Sequence, residues 1–127
     1  MQIRGTFERL NYGGSGVMFS GSNDGAERIG VILIDGNLAL MEYIRGRRTV
    51  LRQVPLRPEH QRLRTPIVLT LTLARNTRTI TVSIDDTEYF EENLSRVAVN
   101  RFGFIGRTGR SGVDAVFNKI EARWSSD

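Results

Sequence analysis

The sequence predicts an all-β protein, a two-sheet antiparallel β-sandwich of roughly nine or ten short strands. Three observations carry that prediction. The first is the stretch from Pro66 to Asp86, where Ile67, Leu69, Leu71 and Leu73 alternate with Val68, Thr70, Thr72 and Ala74. After Asn76 and Thr77, Ile80, Val82 and Ile84 alternate with Thr79, Thr81 and Ser83. Period-two alternation in residues of high β propensity is a strand signal, and two such runs around a short turn make a hairpin. With Arg75 and Arg78 flanking a two-residue turn, Leu73 faces Ile80, Leu71 faces Val82 and Leu69 faces Ile84. Thr72 then faces Thr81 and Thr70 faces Ser83, leaving one face aliphatic and one hydroxylated. The second observation is a turn signal about every 8–12 residues along the chain. The third is the absence of helical periodicity. At most one short helical turn is expected near residues 58–64, inside the three-proline stretch Pro55 to Pro66.

Taken in order, Gln2 to Leu10 is a strand with Ile3 and Phe7 inward, and Gly5 marks a bulge or a close backbone approach. NYGGSG, residues 11–16, is a turn, and Gly16 to Gly21 a short apolar strand. Ser22 to Glu27 is a polar loop. Ile29 to Ile34 is so continuously apolar that burial on both faces is expected. Asp35-Gly36 is a type I′ hairpin signal. Leu38 to Arg45 returns as a strand, Gly46 breaks it, and Thr49 to Val54 makes another. After the Pro66–Ile84 hairpin come a turn at Asp85 to Thr87, a short strand at Glu88 to Glu91, and a crossing loop pinned by Leu94, Val97 and Val99. Phe102 to Arg107 is a strand with both phenylalanines on one face. In the last strand, Val113 to Trp124, the apolar parity flips near Asn118 and Lys119, which predicts a β-bulge.

A chain of 127 residues supports one core, so a single domain over residues 1–127 is expected. There is no cysteine, hence neither disulfide framework nor thiolate metal site. The opening MQIRGTFERL carries charge where a signal peptide needs an apolar run, and no segment is long enough to span a bilayer. No membrane insertion is therefore expected. The compartment stays open, with a secreted or cell-surface parent protein among the choices. The formal charge is +4, made from seventeen arginines and one lysine, Lys119. Arginine's planar fork suits carboxylate, phosphate and sulfate.

Three segments together resemble a known group: GSGVMFSGSNDGAERIGVILIDGNLALMEY, TLTLARNTRTITVSIDDTEY and FGFIGRTGRSGVDAVFNKIEARW. Their order of strands and turns is similar to that of the concanavalin A-like lectin/glucanase superfamily, in the laminin G-like and 3-keto-disaccharide-hydrolase-like style. The resemblance runs from about Gly5 to Trp124. It implies a jelly roll of two curved antiparallel sheets and a glycan as ligand.

The residues then narrow the chemistry. A glycosidase needs two carboxylates on one cleft. Glu42 has no acidic partner two or four residues on, Glu91 and Glu92 are adjacent, and Asp85 and Asp86 are explained by their turn. No enzyme is expected. His60 reads as an exposed loop residue, and the His-Asn-Arg and Trp-Gly-Glu strands of galectins are missing. Trp124 shares parity with Ile120 and Ala122, which points it to the core or a sheet edge. No cofactor is expected. Calcium, if any binds, would use Asn23 and Asp24, with Asp24 the candidate ligand.

The resulting expectation is a non-catalytic, lectin-like carbohydrate-binding module. Its site would use Tyr12, Asn23, Asp24, Arg28, Glu42, Tyr43, Arg45 and Arg47. A structural module that docks on another protein or self-associates is the alternative. A third reading takes the arginines from Arg45 to Arg64 as a binder of anionic polymers. There Arg45 and Arg47 share one strand parity, and Arg48 and Arg52 the other.

Overall fold

The computed structural model describes residues 1–22, 26–95, 98–106, 108–109, 112–113 and 115–124. Its strands are β1 (Gln2–Arg9), β2 (Ser15–Ser20), β3 (Glu27–Ile34), β4 (Asn37–Ile44), β5 (Arg47–Pro55), β6 (Pro66–Ala74), β7 (Thr79–Ile84), β8 (Thr87–Asn93), β9 (Arg101–Gly106), β10 (Thr108–Gly109), β11 (Gly112–Val113) and β12 (Ala115–Arg123). A single 3₁₀ turn at Pro58–His60 interrupts them. Five strands form a first sheet in the order β12-β1-β6-β7-β8, and five a second in the order β5-β4-β3-β2-β9; every ladder is antiparallel. β10 and β11 make a separate short ribbon.

The core lies between the two sheets. Ile3, Phe7, Leu69, Leu71, Ile80 and Ile84 of the first sheet meet Val17, Phe19, Val31, Leu33, Leu38 and Leu40 of the second, all of them buried. The predicted register of the β6–β7 hairpin is the observed one, Leu69↔Ile84, Leu71↔Val82 and Leu73↔Ile80, although the connection spans the four residues 75–78. The bulge predicted near Asn118 is present: Thr6 pairs with Lys119 and Phe7 with Phe117, so Asn118 is the extra residue and the parity flips there. Gly5 is a site of close approach between the sheets. A β-carbon there would stand 2.7 Å from Val17 Cγ2 and 2.9 Å from the Phe104 ring.

Three hairpins close with two successive residues at positive φ, the geometry of type I′ turns: Asp35-Gly36, Arg45-Gly46 and Asp85-Asp86. The last does so without glycine. Its strain is met by Asp85, whose carboxylate accepts from the Val68 N–H while its own N–H donates to the Val68 carbonyl.

Two expectations are corrected. His60 is buried, only 4% exposed, and its Nδ1 bonds the Tyr89 hydroxyl, while Nε2 lies 3.9 Å from Asp85. It lies beneath the proline-rich loop because Arg9, itself 2% exposed, reaches in from the end of β1 and donates to the carbonyls of His60 and Arg62. Burial pulls the Arg9 guanidinium below its usual range, and the neighbouring Tyr12 and Tyr89 act against that shift. Of the two places expected for Trp124 the sheet edge is the observed one: it follows β12, the edge strand of the first sheet, and is 64% exposed. Arg48 and Arg52 do not share a face, because a register shift after Met41 makes Leu51 an extra residue. Arg48 pairs with Tyr43 on the outward side. Arg52 pairs with core Leu40 and turns inward, over the Phe90 ring at 5.5 Å and onto Glu92 at 3.3 Å. That contact ties the β5 edge of one sheet to the β8 edge of the other.

Candidate functional site

A cleft of about 530 Å³ opens at the end of the sandwich where β3 begins and β4 ends. Its floor is apolar, from Phe19 and Ile29, whose ladder partners place them on the core side of the second sheet. Its walls come from three segments. Gly21, Ser22 and Ala26 bring the β2–β3 connection, Ile44 and Arg45 the β4–β5 turn, and Ser95 and Ala98 the segment crossing between sheets. Glu27 and Glu42 supply charged groups, and Arg28 borders the cleft with its guanidinium on the outward face. Local geometry explains why these pieces converge. The Ser20 hydroxyl donates to the Glu27 carbonyl and receives the Ser22 N–H, which folds the connection back on itself. The Arg45 N–H donates to the Ala26 carbonyl, joining the two turns. The crossing segment is fixed by buried Leu94, whose N–H donates to Arg78, and by Asn100, whose N–H and side chain donate to Ser20 and Gly21. Ser95 Oγ reaches Glu42 Oε2 at 3.5 Å.

Of the residues expected at a site, Arg28, Glu42 and Arg45 line this cleft. Tyr43 is adjacent but faces outward, under the Arg28 guanidinium at 5.6 Å, and its hydroxyl donates to Met41 Sδ at 3.4 Å. Arg47 starts β5, exposed, and lies outside the lining. Tyr12 is at the opposite end of β3: its carbonyl accepts from the Asp35 N–H, beside the β3–β4 turn. Tyr12 and Arg28 therefore do not form one site. Asn23 and Asp24, including the calcium candidate Asp24, lie outside the described residues. Among the described residues no group of three or more His, Asp or Glu side chains is placed to hold a metal ion. Nor, among those residues, is any helix long and apolar enough to cross a membrane.

Sequence reasoning missed Phe19, Ile29, Ser22, Glu27 and Ser95. Glu27 is the informative omission. It pairs with Ile44 while Ile29 pairs with Glu42, so the two glutamates are diagonal neighbours in the ladder. Such neighbours stand about 7–8 Å apart. A search along single strands does not find a pair formed between two.

The outward face of the second sheet carries its own pattern. Ladder partners stack into rows across β9-β2-β3-β4-β5: Ile105, Gly16, Ile32, Ala39 and Gln53; then Gly103, Met18, Gly30, Met41 and Val50; then Arg101, Ser20, Arg28, Tyr43 and Arg48. Ile32, Ala39 and Met41 are buried there, packed by Ile34, Tyr43 and Ile105 of the same sheet. The double-sided burial expected of β3 is thus present.

No protein-family model matches the chain, and neither does any curated protein. Solved structures do. The carbohydrate-binding module CBM66 from Bacillus subtilis superposes with a TM-score of 0.74 at 12% identity, covering 94% of this chain and 71% of that one. The fold is the concanavalin A-like, laminin G-like jelly roll. Domains LG4-5 of the mouse laminin α1 chain match at TM-score 0.60 and 14% identity, over 94% of this jelly roll and 34% of that chain. Sheep galectin-11 matches at 0.57 and 11%, over 94% and 87%. At these identities the likeness is one of fold.

Proposed function

We propose that this jelly roll is a non-catalytic carbohydrate-binding module that holds a saccharide in the cleft beside β3 and β4. The observation that carries the reading is the cleft itself: an apolar floor of Phe19 and Ile29 under a rim of Glu42, Ser95, Ser22 and Arg45. A sugar ring offers a C–H face and a girdle of hydroxyls, and the cleft presents the complement of each. Its volume falls within the range of about 300–1,000 Å³ found for small-ligand pockets. The names of the matched solved structures, a carbohydrate-binding module and a galectin among them, agree with the class of ligand.

The Glu27 and Glu42 pair is the one feature that favours catalysis. A glycosidase sets one of its carboxyls in a dry apolar pocket; both glutamates here are half-buried at the mouth of an open cleft. We therefore expect binding without turnover. Edge-to-edge assembly is disfavoured by the edges themselves, since β5, β8, β9 and β12 all carry charged side chains: Arg47, Arg48 and Arg52; Glu88, Glu91 and Glu92; Arg101; Lys119, Glu121 and Arg123.

The test is a glycan array probed with the wild-type chain and with Glu42→Ala, beside light scattering and a reducing-end assay on every bound glycan. Selective binding that Glu42→Ala weakens at an unchanged melting temperature supports the proposal. Silence on all glycans together with a defined oligomer would sink it, and release of reducing ends would replace it with the hydrolase reading.

A further inference from the structure

We propose that the ligand is an acidic saccharide, and that its carboxylates or sulfates lie along the outward arginine row of the second sheet, leading away from the cleft. This rests on the saccharide reading of the cleft. Arg101, Arg28 and Arg48 occupy alternate strands of a single row, with Ser20 and Tyr43 between them. Strands in a sheet are spaced about 4.8 Å apart, so successive arginines lie about 10 Å apart and the row is about 19 Å long. That matches a short oligosaccharide better than a single ring. The three exposed guanidinium groups make no ion pair among the described residues, and no acidic side chain stands in this row or the two beside it. Arg52, by contrast, is paired with Glu92 of the other sheet.

Two further features give the row a direction and a floor. Arg28 borders the cleft while its guanidinium lies over Tyr43 on the outward face, so the row begins at the same end of the sheet as the cleft. The neighbouring row contains Gly103 and Gly30 on either side of Met18, and a β-carbon at Gly103 would have no neighbour within 4 Å. Gly30 is covered by Tyr43 and Ile32, whose side chains stand 3.5 and 3.6 Å from where its β-carbon would be, so the open uncharged surface beside the cations lies at Gly103 and Met18. Sugar C–H faces lie against such a surface while their acidic groups reach the forks of the arginines. A single-stranded nucleic acid is held by several exposed aromatic rings that stack on its bases, and Tyr43 is the one aromatic side chain in the three rows.

The test compares one polymer backbone with and without charge. Dextran, dextran sulfate and polygalacturonate are titrated against wild type, Arg28→Gln, Arg48→Gln, Arg101→Gln and the triple variant, with polyaspartate and duplex DNA as competitors. Arg75→Gln, in the β6–β7 connection, is the control for net charge. We expect at least one acidic polymer to bind well above dextran, with affinity reduced about fivefold by each single substitution and about a hundredfold by the triple. Binding should weaken with salt, because mobile ions screen the attraction between exposed arginines and the anionic groups. Preference for sulfate or for carboxylate identifies the source of the anion and supports the proposal either way. Neutral glycans bound through Glu42 with no response to the arginine variants would overturn this inference and leave the cleft reading standing. Polyaspartate or DNA binding more tightly than either acidic glycan, or no acidic polymer binding at all, also overturns it.

Discussion

Gly5 gives the sharpest test of how the two sheets are held together. Replacing it with alanine adds one methyl group, 2.7 Å from Val17 Cγ2 and 2.9 Å from the Phe104 ring, both closer than carbon atoms pack. Val17 is fully buried and stiff at χ1, and Phe104 is stacked on Phe117 at 4.5 Å, so neither can swing aside freely. Overpacking of this kind costs about 1–3 kcal/mol. The lower entropy of the unfolded alanine chain returns about 0.4–1 kcal/mol, leaving a net loss of about 1–2 kcal/mol. With an unfolding entropy of about 2.1 cal/mol/K per residue, a chain of this length should melt about 4–8 °C lower. Calorimetry of Gly5→Ala, Val17→Ala and the double variant measures it, with Gly103→Ala, where the added methyl meets nothing within 4 Å, as the matched control. The double variant should be less destabilised than the two singles combined, since removing Cγ2 vacates the space the new methyl needs. An unchanged or raised melting temperature for Gly5→Ala, or strict additivity with Val17→Ala, would refute the close approach of the sheets at this point.

Burial raises the Tyr89 hydroxyl above its usual range, so its share of stability is complete below the unfolded value of about 10 and is lost as pH rises through the folded one. Thermal melts from pH 8 to 11 should therefore fall more steeply for wild type than for Tyr89→Phe. At neutral pH that variant should lose about 1–3 kcal/mol, because the His60 ring and the Arg57 N–H both lose a partner. Asp86→Gly should raise stability by up to about 1 kcal/mol by relieving the left-handed backbone at φ 66, and denaturant titration would show it. A double-mutant cycle on Arg52 and Glu92, both solvent-accessible, should give a coupling of no more than about 1 kcal/mol.

The strands were legible because alternation, β propensity and turn residues agreed with one another along most of the chain. The β6–β7 register and the parity flip at Asn118 follow from counting apolar residues, since a slip would carry Leu69 or Ala122 out of the core. The bulge at Leu51 escaped the same count. Its strand, RRTVLRQVP, is mostly exposed and has too few apolar residues to reveal a change of phase. His60 and Arg9 failed for a different reason. Their burial depends on a loop folding over the end of β1, fifty residues away in sequence, and residue type alone argues for exposure.

The candidate cleft was legible only in part, and the reason is geometric. Arg28, Glu42 and Arg45, which line it, were singled out because charged and aromatic residues near turns stand out in a sequence. The cleft itself is made by juxtaposition. Phe19 and Ile29 look like ordinary core residues, and they are buried; they line a cleft only because the sandwich ends beside them. The arginine row is hidden still more deeply, since Arg28, Arg48 and Arg101 lie far apart in sequence and share no local pattern. Only three ladder registers read together place them in line. The dense run from Arg45 to Arg64, the obvious basic feature of the sequence, is meanwhile dispersed: Arg45 goes to the cleft, Arg48 outward and Arg52 inward onto Glu92. Charge density along a strand is therefore a poor guide to a charged surface in a sandwich, because alternation divides neighbours between faces and pairing gathers residues from remote strands.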